Sequence, residues 1–130
     1  MNRSPWHRIV AWLPALLWAS LIFFLSAQPV LPKTGPSIPH ADKLAHLVMY
    51  AILGFLTTRA LRRAHNLPLQ TAIPLAILIG ALYGASDEWH QSFIPPRTPD
   101  MADWIADVTG TTLAQLVHWY DSRRSKKTHR

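Results

Sequence analysis

The 130-residue sequence has no cysteine, which excludes disulfides, zinc–thiolate centres and cysteine nucleophiles and says nothing about compartment. It is also poor in charge. Asp, Glu, Lys and Arg make up 15% of residues, against roughly 25% in an ordinary soluble domain. No formal charge occurs from position 9 to 32, or from 64 to 86. A soluble amphipathic helix needs a polar face, with a charge about every turn, whereas apolar stretches of this length read as membrane spans. The sequence has no glycine-rich phosphate loop, no serine in a nucleophile elbow and no HExxH-type spacing. An imidazole beside carboxylates could ligate a metal, but without such a spacing neither metal nor cofactor is expected. The formal charge of +6 and pI near 10.3 would suggest nucleic acid for a soluble chain. Beside apolar spans, basic tails are explained by topology and anionic lipid, so no nucleic-acid partner is expected.

Four apolar segments are present, at about 9–27, 43–61, 67–86 and 99–120, in one domain covering 1–121, with a basic, disordered cytoplasmic tail at 122–130. The fold class this predicts is all-α, a polytopic membrane four-helix bundle. Arg3 and Arg8 precede a long apolar run with no clear small-x-small cleavage site, so the first segment reads as an uncleaved span. Pro14 is expected to kink it. The stretch from Gln28 to Asp42, with Pro29, Pro32, Pro36 and Pro39, is expected to be extended and polyproline-like. Pro74 is tolerable inside a membrane helix. Thr98-Pro99-Asp100 reads as N-cap, N1 proline and first-turn acid of the fourth helix. If the N-terminus is cytoplasmic, Arg3, Arg8, Arg59, Arg62, Arg63, Arg123, Arg124, Lys126, Lys127 and Arg130 are inside, leaving only Lys33, Lys43 and Arg97 outside. This bias places both termini in the cytoplasm of an inner-membrane protein. An even number of spans is then required, which supports the weakly apolar fourth.

With that topology every acidic residue except Asp121 falls near the outer face. Lys43, His46 and Tyr50, spaced i, i+3, i+7, share one face of the second helix. Asp87, Glu88 and Gln91 close the third, where Gly80 and Gly84 share a stripe with Glu88. Asp100, Asp103, Asp107 and Gly110 run down one face of the fourth, and Arg97 stands just before it. Duller roles exist for many of these. Asp100 can cap a helix, Lys43 and Arg97 can snorkel toward headgroups, and the glycines can serve close packing. Asp107 is harder to explain away. It lies about two turns into its helix, beyond the reach of the dipole, and needs a proton or a partner; His46, Lys43 or Arg97 can supply one. An ionisable residue at such a depth is read as facing the bundle interior. A structural salt-bridge network and a working site both remain open at this point.

These residues resemble the VanZ-like family of small membrane proteins. Asp42-Lys43-Leu44-Ala45-His46-Leu47-Val48-Met49-Tyr50-Ala51-Ile52-Leu53-Gly54 is similar to its (D)K-x-x-H-x-x-x-Y-x-x-L-G block. The stretch from Asp87-Glu88 through Gln91, Phe93, Pro95, Arg97 and Asp100 to Asp103 is similar to D-E-x-x-Q-x-F-x-P-x-R-x-x-D-x-x-D. Asp107 and Gly110 occupy the continuation, while Ala114 stands where a further glycine often follows. The family takes its name from a protein associated with resistance to the glycopeptide teicoplanin and has no established biochemical activity. The resemblance therefore implies fold, topology and motif residues, and leaves the reaction open.

The expectation for function is an outward-facing polar pocket that recognises a membrane lipid or a lipid-linked envelope precursor, with Lys43, Tyr50, Asp87, Gln91, Arg97 and Asp103 as ligand contacts. Arg97 and Lys43 would meet the anionic headgroup. In a second reading the chain is a membrane-embedded hydrolase or transferase, with Asp107 or Glu88 as acid–base residue and His46, whose side-chain type titrates near neutrality, beside it. In a third it is a structural subunit. Four short helices enclose little space, so an oligomer is compatible with all three.

Overall fold

The computed structural model describes residues 4–29 and 39–128. Lys33 and most of the expected polyproline stretch lie outside the described residues. The chain forms four helices, α1 (Pro5–Ser26), α2 (Ala41–His65), α3 (Leu69–Gln91) and α4 (Met101–Thr128), with no strand among the described residues. Each expected segment is a helix, and each of the four runs further at one end or both than hydropathy alone predicts.

The differences have local causes. α1 starts at Pro5 because the Ser4 hydroxyl accepts from the His7 amide and proline occupies the first turn. α2 continues past Leu61 to His65 and stops where Asn66 adopts the left-handed conformation at φ 55°; Asn tolerates that region, and Arg62, Arg63 and His65 sit favourably at the negative end of the helix dipole. α3 does not give way to a loop after Ser86, since Asp87, Glu88 and Gln91 are buried on its inner face. α4 begins later than expected. Asp100, not Thr98, caps it, its Oδ1 accepting from the Ala102 amide at 2.8 Å, so Pro99 precedes the cap. At the other end the helix continues through the basic segment to Thr128 rather than ending near Tyr120 in a disordered tail, and Arg123 stacks over the Trp119 ring at 4.0 Å.

α2 is the central element. It packs against α1, α3 and above all α4, whereas α1 does not reach α4 among the described residues. Cross-helix donors fix the arrangement: Trp18 Nε1 donates to the Met49 carbonyl at 2.8 Å, Tyr83 Oη to the Ala19 carbonyl at 2.6 Å, and Trp104 Nε1 to the Ala81 carbonyl at 2.9 Å. Small residues let α4 come in close. Gly110 faces the Leu47 carbonyl so tightly that no Cβ fits, and Gly54 and Gly80 both abut Thr111.

The distribution of polarity is the reverse of a soluble bundle. The largest fully buried side chains are Tyr50, Thr58, Thr111 and Asp107. Leu17 is 63% exposed, Phe24 61% and Leu116 60%. Water would penalise such a surface heavily, while acyl chains suit it. Among the described residues α1, α2 and α3 are each long and apolar enough to cross a membrane. The low hydropathy of α4 comes from its basic end and from its inner stripe, where Asp107, Thr111, Gln115 and His118 are buried, while Ile105, Leu113, Leu116 and Val117 face outward. The chain is a membrane protein.

Candidate functional site

The polar groups converge where α2 and α4 begin and α3 ends. The i, i+3, i+7 spacing turns Lys43, His46 and Tyr50 toward α4, and the same spacing on α4 presents Asp100, Asp103 and Asp107 in return. Two pairings result. Nearer the rim, Lys43 Nζ lies 2.9 Å from Asp100 Oδ2, 2.9 Å from Asp103 Oδ1 and 3.3 Å from Asp42 Oδ2. One turn deeper, His46 Nδ1 lies 2.9 Å from Asp107 Oδ1, with its Nε2 3.9 Å from Asp103 Oδ2. Asp107 is wholly buried, and its Oδ2 has no hydrogen-bond partner among the described residues. Gly84 makes room for that oxygen, since a Cβ there would stand 2.9 Å from it.

The end of α3 closes the cluster. Glu88 Oε2 accepts from the Asp100 amide at 2.7 Å, tying α3 to the cap of α4, and Glu88 Oε1 is buried without a partner among the described residues. Asp87 is buried and receives a weak hydrogen bond from Gln91 Nε2 at 3.3 Å. The Asp100 carboxyl, just outside the helices, is held below the usual aspartate range by its hydrogen bond to the Lys43 ammonium. The sign follows from the lowering: this tie is intact above the ordinary carboxylate range and is lost only as pH falls through the lower, folded value.

Beside this cluster is a cleft of about 160 Å³ between α1, α2 and the end of α3. Ile22, Leu25, Ala45 and Met49 form an apolar wall, while His46, Tyr50, Asp87, Gln91 and Arg97 supply the polar side. Arg97 forms no ion pair with a carboxylate among the described residues; its Nε donates to the Gln28 carbonyl at 2.7 Å. The three residues expected to do chemistry, His46, Glu88 and Asp107, therefore meet. Lys43 and Asp103 join their rim, and Tyr50, Asp87, Gln91 and Arg97 line the cleft.

Two features escaped the sequence reading. The α1 contribution, Ile22, Leu25 and Ser26, came from a helix with no motif, in which Ser26 was the only signal. A buried polar seam also continues along the α2–α4 interface: Thr58 Oγ1 donates to Gln115 Oε1 at 2.6 Å, Gln115 Nε2 to the Thr111 carbonyl at 2.9 Å, and His118 Nε2 lies 3.1 Å from the Phe55 carbonyl. Continuing the Asp107 stripe by helical steps to Thr111, Gln115 and His118 would have found it.

The profile of the VanZ/LLP1 family matches residues 11–120, which include both motif blocks. The chain is 33% identical over 106 residues to the uncharacterized protein C11E3.10 of Schizosaccharomyces pombe, a match covering 80% of this chain and 60% of that protein. The chain thus corresponds to little more than half the length of that relative. No solved structure matches it.

Proposed function

The chain belongs to the VanZ/LLP1 family, and from that premise we propose that its cleft recognises the anionic headgroup of a membrane lipid or of a lipid-linked envelope precursor. The observation that carries this reading is Arg97, a guanidinium without a carboxylate partner among the described residues, beside an apolar wall of Ile22, Leu25 and Met49. A phosphate suits the planar fork of Arg, and an acyl or isoprenoid segment suits the wall. Lys43 was expected to share the anion, but its ammonium is engaged by three carboxylates, which leaves the role to Arg97. The test is retention of anionic lipid by the purified protein, read by native mass spectrometry after exchange into vesicles containing phosphatidylglycerol. Arg97→Gln is expected to reduce retention ~10-fold or more, in line with the loss of one charge-assisted contact. Equal retention by wild type and variant would remove the proposal.

A second reading is supported by the 2.9 Å contact of His46 with Asp107, since an imidazole oriented by a buried carboxylate is suited to general acid–base catalysis. On this reading the cleft positions a lipid-linked ester or phosphoester for hydrolysis or transfer. Turnover of such a substrate by purified protein separates it from binding alone. Loss of folded protein on every substitution at His46, Glu88, Arg97 and Asp107, with no selective loss of binding, would favour a structural subunit.

Both readings gain from an orientation in which the site faces outward and both termini lie in the cytoplasm of the inner membrane, as the distribution of Arg and Lys supports. A phosphatase reporter, active only outside the cytoplasm, is expected to be inactive when fused after Arg130 and active when inserted near Lys33. The opposite pattern would invert the topology and turn the cleft inward.

A further inference from the structure

The buried charges around His46 do not balance. Asp87, Glu88 and Asp107 are buried carboxylates, and no Lys or Arg is buried among the described residues. Lys43 is committed to the carboxylates at the rim, and Arg97 contacts a backbone carbonyl. Among the described residues His46 is therefore the basic group that reaches the buried carboxylates, and a single imidazole does not compensate three of them. A buried carboxylate needs a counter-charge, a proton or a metal ion.

Geometry selects among these. Among the described residues Glu88 Oε1 and Asp107 Oδ2 find no hydrogen-bond partner, on residues only 7% and 0% exposed. One donor atom from each of His46, Glu88 and Asp107 lies within 4.8 Å of the others, and each residue comes from a different helix. We propose that His46, Glu88 and Asp107 form a binding site for a divalent transition-metal ion of the zinc or manganese kind. One imidazole nitrogen with two carboxylates suits such an ion better than calcium or magnesium, which favour oxygen alone, or copper(I), which favours thiolate and thioether. Ligands at ~2.1 Å from zinc stand ~3.4 Å apart at tetrahedral angles, so the three side chains close inward by about 1 Å. The ion takes the place of the proton shared by His46 and Asp107. Glu88 is already held through its other oxygen by the Asp100 amide, and Asp103 stands 3.9 Å from His46 Nε2, where it steadies the ring.

Three protein ligands leave a fourth coordination position. His46 also lines the cleft, so a headgroup oxygen is the natural fourth ligand. That last step rests on the cleft reading given above; the metal site itself does not.

The test uses the purified full-length chain in detergent, with its affinity tag removed and metal stripped by chelator. Zinc or manganese chloride is added, excess is removed by desalting, and bound metal is counted by inductively coupled plasma mass spectrometry. One ion per chain is expected. His46→Ala, Glu88→Gln and Asp107→Asn should each weaken binding ~100-fold or more, as loss of a ligand does, whereas His118→Ala should not change it. Because a ligand variant can fail to fold, the wild-type chain carries a second measurement. Cobalt(II) should give visible absorption of a four- or five-coordinate nitrogen–oxygen site, bleached by one equivalent of zinc. No stoichiometric ion on the wild-type chain, or full retention by folded Glu88→Gln and Asp107→Asn variants, overturns the site. Zinc binding without retention of phosphatidylglycerol would keep this inference and refute the lipid reading; the converse result would do the reverse.

Discussion

Replacing Gly110 with alanine is expected to destabilise the bundle by ~3 kcal/mol or more, seen as unfolding at markedly lower denaturing-detergent concentration and as lower abundance in the membrane. Inserting one methylene into a packed core ordinarily costs about 1–3 kcal/mol, and this position is worse than ordinary. The new Cβ would run into the Leu47 carbonyl oxygen and lie 2.9 Å from its carbon and 3.0 Å from the Ala51 amide nitrogen. All three atoms are helix backbone, which has no rotamer to yield with, so α4 must move away from α2. That movement reaches the site at once, because Asp107 and His46 meet less than one turn away. Gly84→Ala offers a contrast. Its Cβ would meet Asp107 Oδ2 at 2.9 Å, Asp107 Cβ at 3.1 Å and Trp104 Cδ1 at 3.3 Å; none of these is main chain, so a smaller stability loss of about 1–2 kcal/mol is expected. Leu113→Ala, on the lipid-facing side, should change little. A Gly110→Ala chain as stable as wild type would mean that α2 and α4 do not approach as closely as the structure has them.

How much of this could be read from the sequence depends on what each signal reports. Long uncharged runs report burial in lipid and place the first and third helices; the fourth, interrupted by Asp103 and Asp107, was placed by its capping signature and the even number of spans. Hydropathy averages over every face of a helix, so it understates the ends: the apolar run stops at Ser86, yet Asp87, Glu88 and Gln91 continue α3 and face inward. Helical spacing reports which residues share a face, and this was enough to bring Lys43 and His46 opposite Asp103 and Asp107. It does not report how neighbouring helices are rotated or shifted. For that reason the choice of partner for Asp107 among His46, Lys43 and Arg97 stayed open until the packing was known. The structure gives His46 to Asp107 and Lys43 to the rim, and leaves Arg97 in the cleft. The α1 wall was invisible for the same reason. Ile22 and Leu25 are indistinguishable in sequence from lipid-facing neighbours such as Leu21 and Phe24, and only docking against α2 separates them.

The His46–Asp107 contact should reveal itself as strongly non-additive. Among the described residues His46→Leu removes the one partner of Asp107 Oδ1, and Oδ2 has none already; the carboxyl is left buried and unsatisfied. Breaking a buried pair from one side costs about 3–5 kcal/mol, and the lower end of that range is expected here because a chain unfolded within lipid finds other partners. Asp107→Ala should cost less, about 1–2 kcal/mol, since His46 is partly exposed and keeps Asp103 at 3.9 Å. In the double variant neither orphan remains, so His46→Leu with Asp107→Ala should be closer to wild type than His46→Leu alone. The resulting coupling is ~2 kcal/mol. Measuring the cycle in chelator keeps cation binding out of the comparison. Additive losses would show that the two side chains do not depend on one another in the folded protein, and would remove the pair from any acid–base role. A recovered fold that binds neither cation nor lipid headgroup would instead separate the two uses of these residues: the bundle tolerates their joint replacement by apolar groups, and the site does not.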